Sequence, residues 1–261
     1  MQEPTGSADP AAPPESTGPE SGPSSAPPAE PRQRWRLVVG RRGGLAEQTQ
    51  RQVAEAWESA LEAAGLPIAR GGDGRARPRV SFGAPLPVGM AADAELIDLI
   101  LTERWPLWRL RESLTPHVPE GWWLVDAHDV WLAGPPLAGR VAAADHLVLL
   151  EPPTPAEPDA DPVARLADAC VVLLAARRLE RQRRKGDGSV AYDLRPLVID
   201  VRAERGDGGP VIETRTRFHP ELGTGRPEEV VGALGDIVGM PLVVTSITRR
   251  RLVLVDDLDA R

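Results

Sequence analysis

The chain has 261 residues and 28.1 kDa, with 31 Lys+Arg, 38 Asp+Glu, a single Cys and a net charge of −7. That length fits one large domain or two small ones, and one cysteine excludes an internal disulfide framework or a multi-cysteine metal cluster. No apolar run reaches the roughly 18–20 residues that span a bilayer, and the first residues lack the basic start and apolar stretch of a secretory signal, so a cytoplasmic protein away from membranes is expected.

Residues 1–33 carry five acids against Arg32, a net −4 that leaves only −3 for the rest of the chain. Residues 1–31 are Pro, Ala, Ser, Gly and Glu with no aromatic, Leu, Ile or Val. Such a segment cannot bury enough apolar area to offset its ordering entropy and is expected to be a disordered tail. Order is expected from Arg34. Arg34 to Val39 alternates and then runs apolar, as a strand does. After the turn Arg41-Arg42-Gly43-Gly44, residues 45–64 have helical spacing, with Val53, Trp57, Leu61 and Ala64 on one face, and Gly65 and Pro67 stop them. A Gly- and Arg-rich loop over 71–77 leads to short strands at Arg79–Phe82 and Ala94–Leu101. Pro106 opens a helix with Leu107, Leu110 and Leu114 on one side, and Trp122–Leu132 reads as a strand.

The second half repeats the layout. A strand enters at Val141 and runs through His146–Leu150. Asp161 caps a helix whose first position is Pro162 and which runs to about Leu174. Strands near 177–184 and 189–193 flank the turn Lys185-Gly186-Asp187-Gly188. Strands at 197–204 and 211–218 follow. Pro227-Glu228-Glu229 opens a helix with acids at its positive end, Gly239 closes it, and a strand spans 242–255. The first half reads β-α-β-β-α-β and the second repeats that layout loosely, so the expected class is α+β: two tandem ferredoxin-like sandwiches, over 34–134 and 140–256, behind the tail of 1–33.

Searches for catalytic signatures return little. There is no Walker A loop, no GxGxxG after a strand, no GxSxG elbow, no HExxH and no CxxC. Asp126, His128 and Asp129 form a tempting trio, but on a strand 126 and 128 share a face while 129 points away. Cys170 sits in an apolar run and reads as a buried small hydrophobe. No cofactor, metal or catalytic residue is expected. The basic blocks are the better candidates: Arg177 to Lys185, including Arg181, Arg183 and Arg184; Arg249-Arg250-Arg251; and Arg70, Arg75, Arg77 and Arg79. Such stripes suit a nucleic-acid backbone, and Trp35, Trp122 and Trp123 offer stacking platforms. The competing reading is that charge blunts exposed strand edges and the tryptophans are core.

Several stretches carry a resemblance. Arg36-Leu37-Val38-Val39, Ala60–Pro67 and above all Pro78-Arg79-Val80-Ser81-Phe82-Gly83-Ala84-Pro85-Leu86-Pro87-Val88-Gly89, followed by Glu95 and Asp98, resemble the radical-SAM-linked family, the domain of unknown function 2344. Tyr192-Asp193-Leu194-Arg195-Pro196 and Gly225-Arg226-Pro227-Glu228-Glu229-Val230 extend the resemblance through the second half. Two histidine-bearing motifs of that family are replaced here by Ala46-Glu47-Gln48-Thr49 and Arg75-Ala76-Arg77-Pro78, so no histidine role carries over. The resemblance implies an accessory or substrate-presenting role beside a radical SAM protein, on RNA.

The residues of the shared motifs suggest a ligand surface. Asp193 and Arg195 are two apart and would share a strand face. Arg226 precedes a helix whose free N–H groups suit a phosphate. With Arg79, Ser81, Arg181, Arg183 and Arg184 they are the expected RNA- or ligand-binding residues. Three functions follow in order: a non-catalytic RNA-binding or RNA-presenting accessory of a radical SAM system, a protein–protein scaffold without nucleic acid, and an RNA-processing or RNA-modifying enzyme.

Overall fold

A computed structural model describes residues 30–44, 48–71, 77–152, 161–186 and 188–258. Nearly all of the tail, most of the Gly-rich loop and the Ala46-Glu47 stretch therefore lie outside the described residues, as does the side chain of Arg184.

The first strand, β1 (Gln33–Arg41), turns Trp35, Leu37 and Val39 to one face, where all three are buried. Helix α1 (Gln50–Ala63) starts later than its apolar spacing suggests. A reciprocal capping box fixes the start: Thr49 accepts from the Gln52 backbone N–H, and the Gln52 side chain accepts from the Thr49 backbone N–H. Then come β2 (Val80–Phe82), β3 (Ala91–Leu101), α2 (Leu107–Leu114) and β4 (Trp122–Val130). The second half contains β5 (Val141–Leu150), α3 (Pro162–Ala175), the hairpin β6 (Glu180–Lys185) and β7 (Gly188–Asp193), β8 (Val198–Gly206), β9 (Gly209–His219), the two-residue β10 (Gly223–Thr224), α4 (Pro227–Val238) and β11 (Val244–Leu254). Asp161 caps α3 by accepting from the Val163 N–H, with Pro162 behind it. Gly239 ends α4 at φ 76°, a left-handed position that a side chain would disfavour.

Leaving aside the β6–β7 hairpin, which forms its own two-stranded sheet, each half has the same strand order. In the first it is β4-β1-β3-β2 and in the second β11-β5-β9-β8, with every neighbour antiparallel. The two sets are joined into one nine-stranded sheet. The joint exists because β2 is short. It covers Ile97–Leu99 of β3 and leaves Ala91 and Ala92 to pair in parallel with Thr248 and Arg249 of β11.

Each half keeps its own apolar core. Val53, Trp57 and Leu61 of α1 with Leu110 and Leu114 of α2 pack on Leu37, Val39, Ile97, Leu99 and Leu101. Trp57 is fully buried and meets Trp122 edge to face at 5.7 Å, a geometry worth about 0.5–1.5 kcal/mol beyond area burial. In the second half Leu166, Cys170 and Leu173 of α3 and Val230 and Leu234 of α4 pack on Val148, Val198, Val201 and Ile212.

Candidate functional site: a buried arginine seam and an open strand edge

Strand β3 is apolar except for its acids, and two of these, Glu95 and Asp98, are buried. A buried carboxylate needs a partner, and arginines on neighbouring strands supply it. Arg249 of β11 donates to both oxygens of Glu95, from Nε at 2.6 Å and Nη2 at 2.5 Å, and to the carbonyls of Pro85 and Ala84. Asp98 receives Arg34 at 2.9 Å and Arg36 at 2.8 and 3.0 Å, while Arg34 also ties down the Gly134 and Pro135 carbonyls of the connection between the halves. Both acids thus fasten β3 to distant segments. On the second half, Asp145 receives Arg215 and Arg251. Burial pushes its carboxyl up, but the two guanidiniums outweigh that and leave it below the usual carboxylate range.

The expected ligand residues divide. Arg181 pairs with Asp236 at 2.6 Å, and Arg183 grips Glu229 at 3.0 and 2.7 Å, the Thr224 carbonyl and the face of Tyr192. Arg181 and Arg183 thus clamp the hairpin to α4. Asp193 and Arg195 do not share a strand face, because β7 ends at Asp193 and the chain turns there. The Asp193 carboxylate accepts from the backbone N–H groups of Leu179 and Arg195, and the Arg195 guanidinium donates to the Leu174 and Val198 carbonyls. Arg79 and Arg226 are exposed and have no ion-pair partner among the described residues, and Arg226 sits at the start of α4 with no side-chain cap. Ser81 is half-buried in β2 opposite Asp98. Within the second block, Arg249 is buried, Arg250 pairs with Asp93 and Arg251 with Asp145.

The tryptophans divide as well. Trp35 is core and Trp122 packs on Trp57. Trp123 is exposed and lies over Gly40, where an added Cβ would fall 2.1 Å from its ring. Val125 is exposed two residues along, and Trp131 is exposed just past the far end of the strand. All three belong to or directly follow β4, which pairs only with β1 among the described strands and so ends the sheet. The contrast with β8 at the other side is chemical. The exposed positions of β8 are Asp200, Arg202, Glu204 and Arg205, charges that blunt an edge. The first half of β4 instead offers an open backbone edge beside Trp123 and Val125.

Several other titratable groups are held by local contacts. The Asp126 carboxylate is held below its usual range by the Ala127 N–H, then by Arg111 and His128, with His128 Nε2 at 3.6 Å; Asp129 accepts from Gln33. Cys170 is buried, and burial followed by the Asp200 charge pushes its thiol up to about 11. Among the described residues no group of three or more His, Cys, Asp or Glu is placed to hold a metal, and no helix is long and apolar enough to cross a membrane. Arg41 and the open β4 edge were not singled out by sequence. Their signals were an arginine continuing an apolar strand and a Trp-Trp pair starting one.

The chain is an α+β protein built on one large, mostly antiparallel sheet with ion pairs buried inside it. The chain belongs to the family described as uncharacterized protein conserved in bacteria (DUF2344), whose model matches residues 34–227. No curated protein matches it. Among solved structures, it is similar to the crystal structure of the archaeal box H/ACA sRNP Nop10-Cbf5 complex, at 10% identity and a TM-score of 0.38 over 82% of this chain. The chain spans about half of that one, 47%.

Proposed function

We propose that the protein is a non-catalytic interaction module whose docking element is the free edge of β4, where a partner protein adds an extended strand. The open edge between Trp123 and Val125 carries this reading: it joins unpaired backbone groups to apolar anchors, the two requirements of strand addition. Pairing of Arg178, Arg181, Arg183 and Arg249 to Arg251 with acids favours it over a surface made for phosphates. The radical SAM protein implied by the family resemblance is the first partner to test. The shared strand order of the halves supports reading them as two ferredoxin-like units, 34–134 and 140–256, fused edge to edge.

A second reading, RNA presentation to that partner, rests on Arg79 and Arg226, exposed without ion-pair partners among the described residues. Affinity purification of the tagged chain, with and without ribonuclease, separates the two. Strand docking predicts a partner retained through ribonuclease and reduced about tenfold or more by Val125→Lys, the substitution that guards natural edges. RNA that co-purifies, disappears with ribonuclease and depends on Arg79 and Arg226, with no effect of Val125→Lys, would replace the first reading by the second.

A further inference from the structure

The chain enters the first half at one end of its sheet. β1 begins there at Gln33, β3 finishes opposite it at Leu101, α2 starts just beyond at Leu107, and β4 runs out at Val130 opposite Arg34. Two tryptophans stand in solvent at this end. Trp108, in the first turn of α2, is 65% exposed, and Trp131, just past β4, is 76% exposed. Trp108 lies on the β4 side of the helix, because Arg111, one turn on, pairs with Asp126 of β4. Rings of this size are usually covered, and their exposure together marks a contact surface.

The same end is positive. Arg32, Arg104 and Arg109 are exposed and have no acid partner among the described residues; Arg109 lies over the Trp105 ring, with Cζ 3.9 Å from the centroid. The acids there are engaged: Glu103 accepts from Trp105 Nε1 at 3.3 Å, and Asp129 accepts from Gln33 at 2.9 Å.

The chain itself delivers the matching chemistry to this place. Residues 1–29, which lie outside the described residues, hold eight prolines and four acids with no Lys or Arg, and they lead directly into Arg32 and β1. A proline-rich chain is already extended, so it docks on aromatic rings at little ordering cost. Its acids complement the arginines. About 20 residues at roughly 3.1 Å each reach about 60 Å, so length does not limit the contact. Tethering gives an effective concentration in the mM range, so that even a contact with a Kd of about 1 mM is mostly formed.

We infer that residues 10–28 dock on Trp108 and Trp131 of their own chain, with Glu15 and Glu20 toward Arg104 and Arg109. The contact sits at the opposite end of β4 from Trp123 and Val125, so it leaves that edge open and stands apart from the strand-docking reading.

The test uses the full chain and the glutamate-specific protease Glu-C, with cut sites read by mass spectrometry. Docking predicts that cleavage after Glu15 and Glu20 speeds up about fivefold in Trp108→Ser with Trp131→Ser, at any protein concentration, as a mM effective concentration implies. Both rings are exposed, so the pair should melt within about 2 °C of the wild type. A second variant leaves the folded part untouched: Pro13, Pro14, Pro19 and Pro23 replaced by Gly. In its nuclear magnetic resonance spectrum the indole N–H signals of Trp108 and Trp131 should move while those of the other five tryptophans stay in place. Equal cleavage rates in the wild type and the tryptophan pair would overturn the inference, as would unmoved Trp108 and Trp131 signals in the glycine variant. Protection in the wild type that disappears on dilution would overturn it too, by assigning the contact to a second copy.

Discussion

Neutralising Glu95 should uncouple the two halves. Arg249 is 2% exposed and Glu95 4%, and the pair links β11 to β3 where the two halves of the sheet meet. Glu95→Gln keeps the side-chain shape and one acceptor but leaves Arg249, with Arg41 nearby, without an anion. Breaking a buried pair from one side costs about 3–5 kcal/mol. For a folded region of this size each kcal/mol moves Tm by roughly 2–4 °C, so a fall of about 6–20 °C is expected. Urea and thermal unfolding followed by circular dichroism measure it, with the urea slope reporting whether the halves still unfold together. Replacing both partners, Glu95→Leu with Arg249→Met, should recover most of the loss, because no buried charge is then left alone. If Glu95→Gln melts within about 2 °C of the wild type, the pair does not fasten the seam and the argument fails.

Other expectations concern buried groups. Burial, with the Arg249 charge, holds the His146 imidazole down to about 4, against an opposing effect of Asp145. The unfolded chain takes up this proton near pH 6.5 while the folded one resists until about 4, so stability should fall on acidification across that window. The loss between pH 7 and pH 4.5 should be about 2–3 kcal/mol larger for the wild type than for His146→Leu in urea titrations. Cys170, with its thiol pushed up to about 11, should resist a thiol reagent at neutral pH in the native protein and react once unfolded. Asp193→Ala strands the Leu179 and Arg195 N–H groups and should cost about 1–3 kcal/mol in the same unfolding assay; a loss below about 0.5 kcal/mol would mean that water replaces the carboxylate there.

Local signals carried the elements. The Asp161-Pro162 start, the Pro227 start with its acids and the Gly239 stop are written in side chains that act within one turn, and the structure repeats them. The order β-α-β-β-α-β of the first half was legible for the same reason. The parallel meeting of Thr248 with Ala91 was not, since residues over 150 positions apart leave no periodic trace in either strand. The run Arg249-Arg250-Arg251 shows the limit well. It reads as one basic block, but alternation and the irregular register between Arg249 and Arg251 send the three to different acids, one of them buried. Asp193 and Arg195 were misread because the strand stops between them, and spacing alone does not mark that end. By sequence Arg41 reads as the start of a turn. Strand pairing with Trp122 on one side and Ala92 on the other keeps it inside the sheet.

Amide hydrogen exchange over β4, in the free protein and with its purified partner, addresses the central claim most directly. Docking on the edge predicts that the amides of Trp122–Val130 not bonded to β1 exchange fast in the free chain and become protected in the complex. Val125→Lys should abolish that protection while leaving the exchange of β1 and β3 unchanged. Protection appearing elsewhere, with the outer edge of β4 still exchanging freely in the complex, would contradict the account.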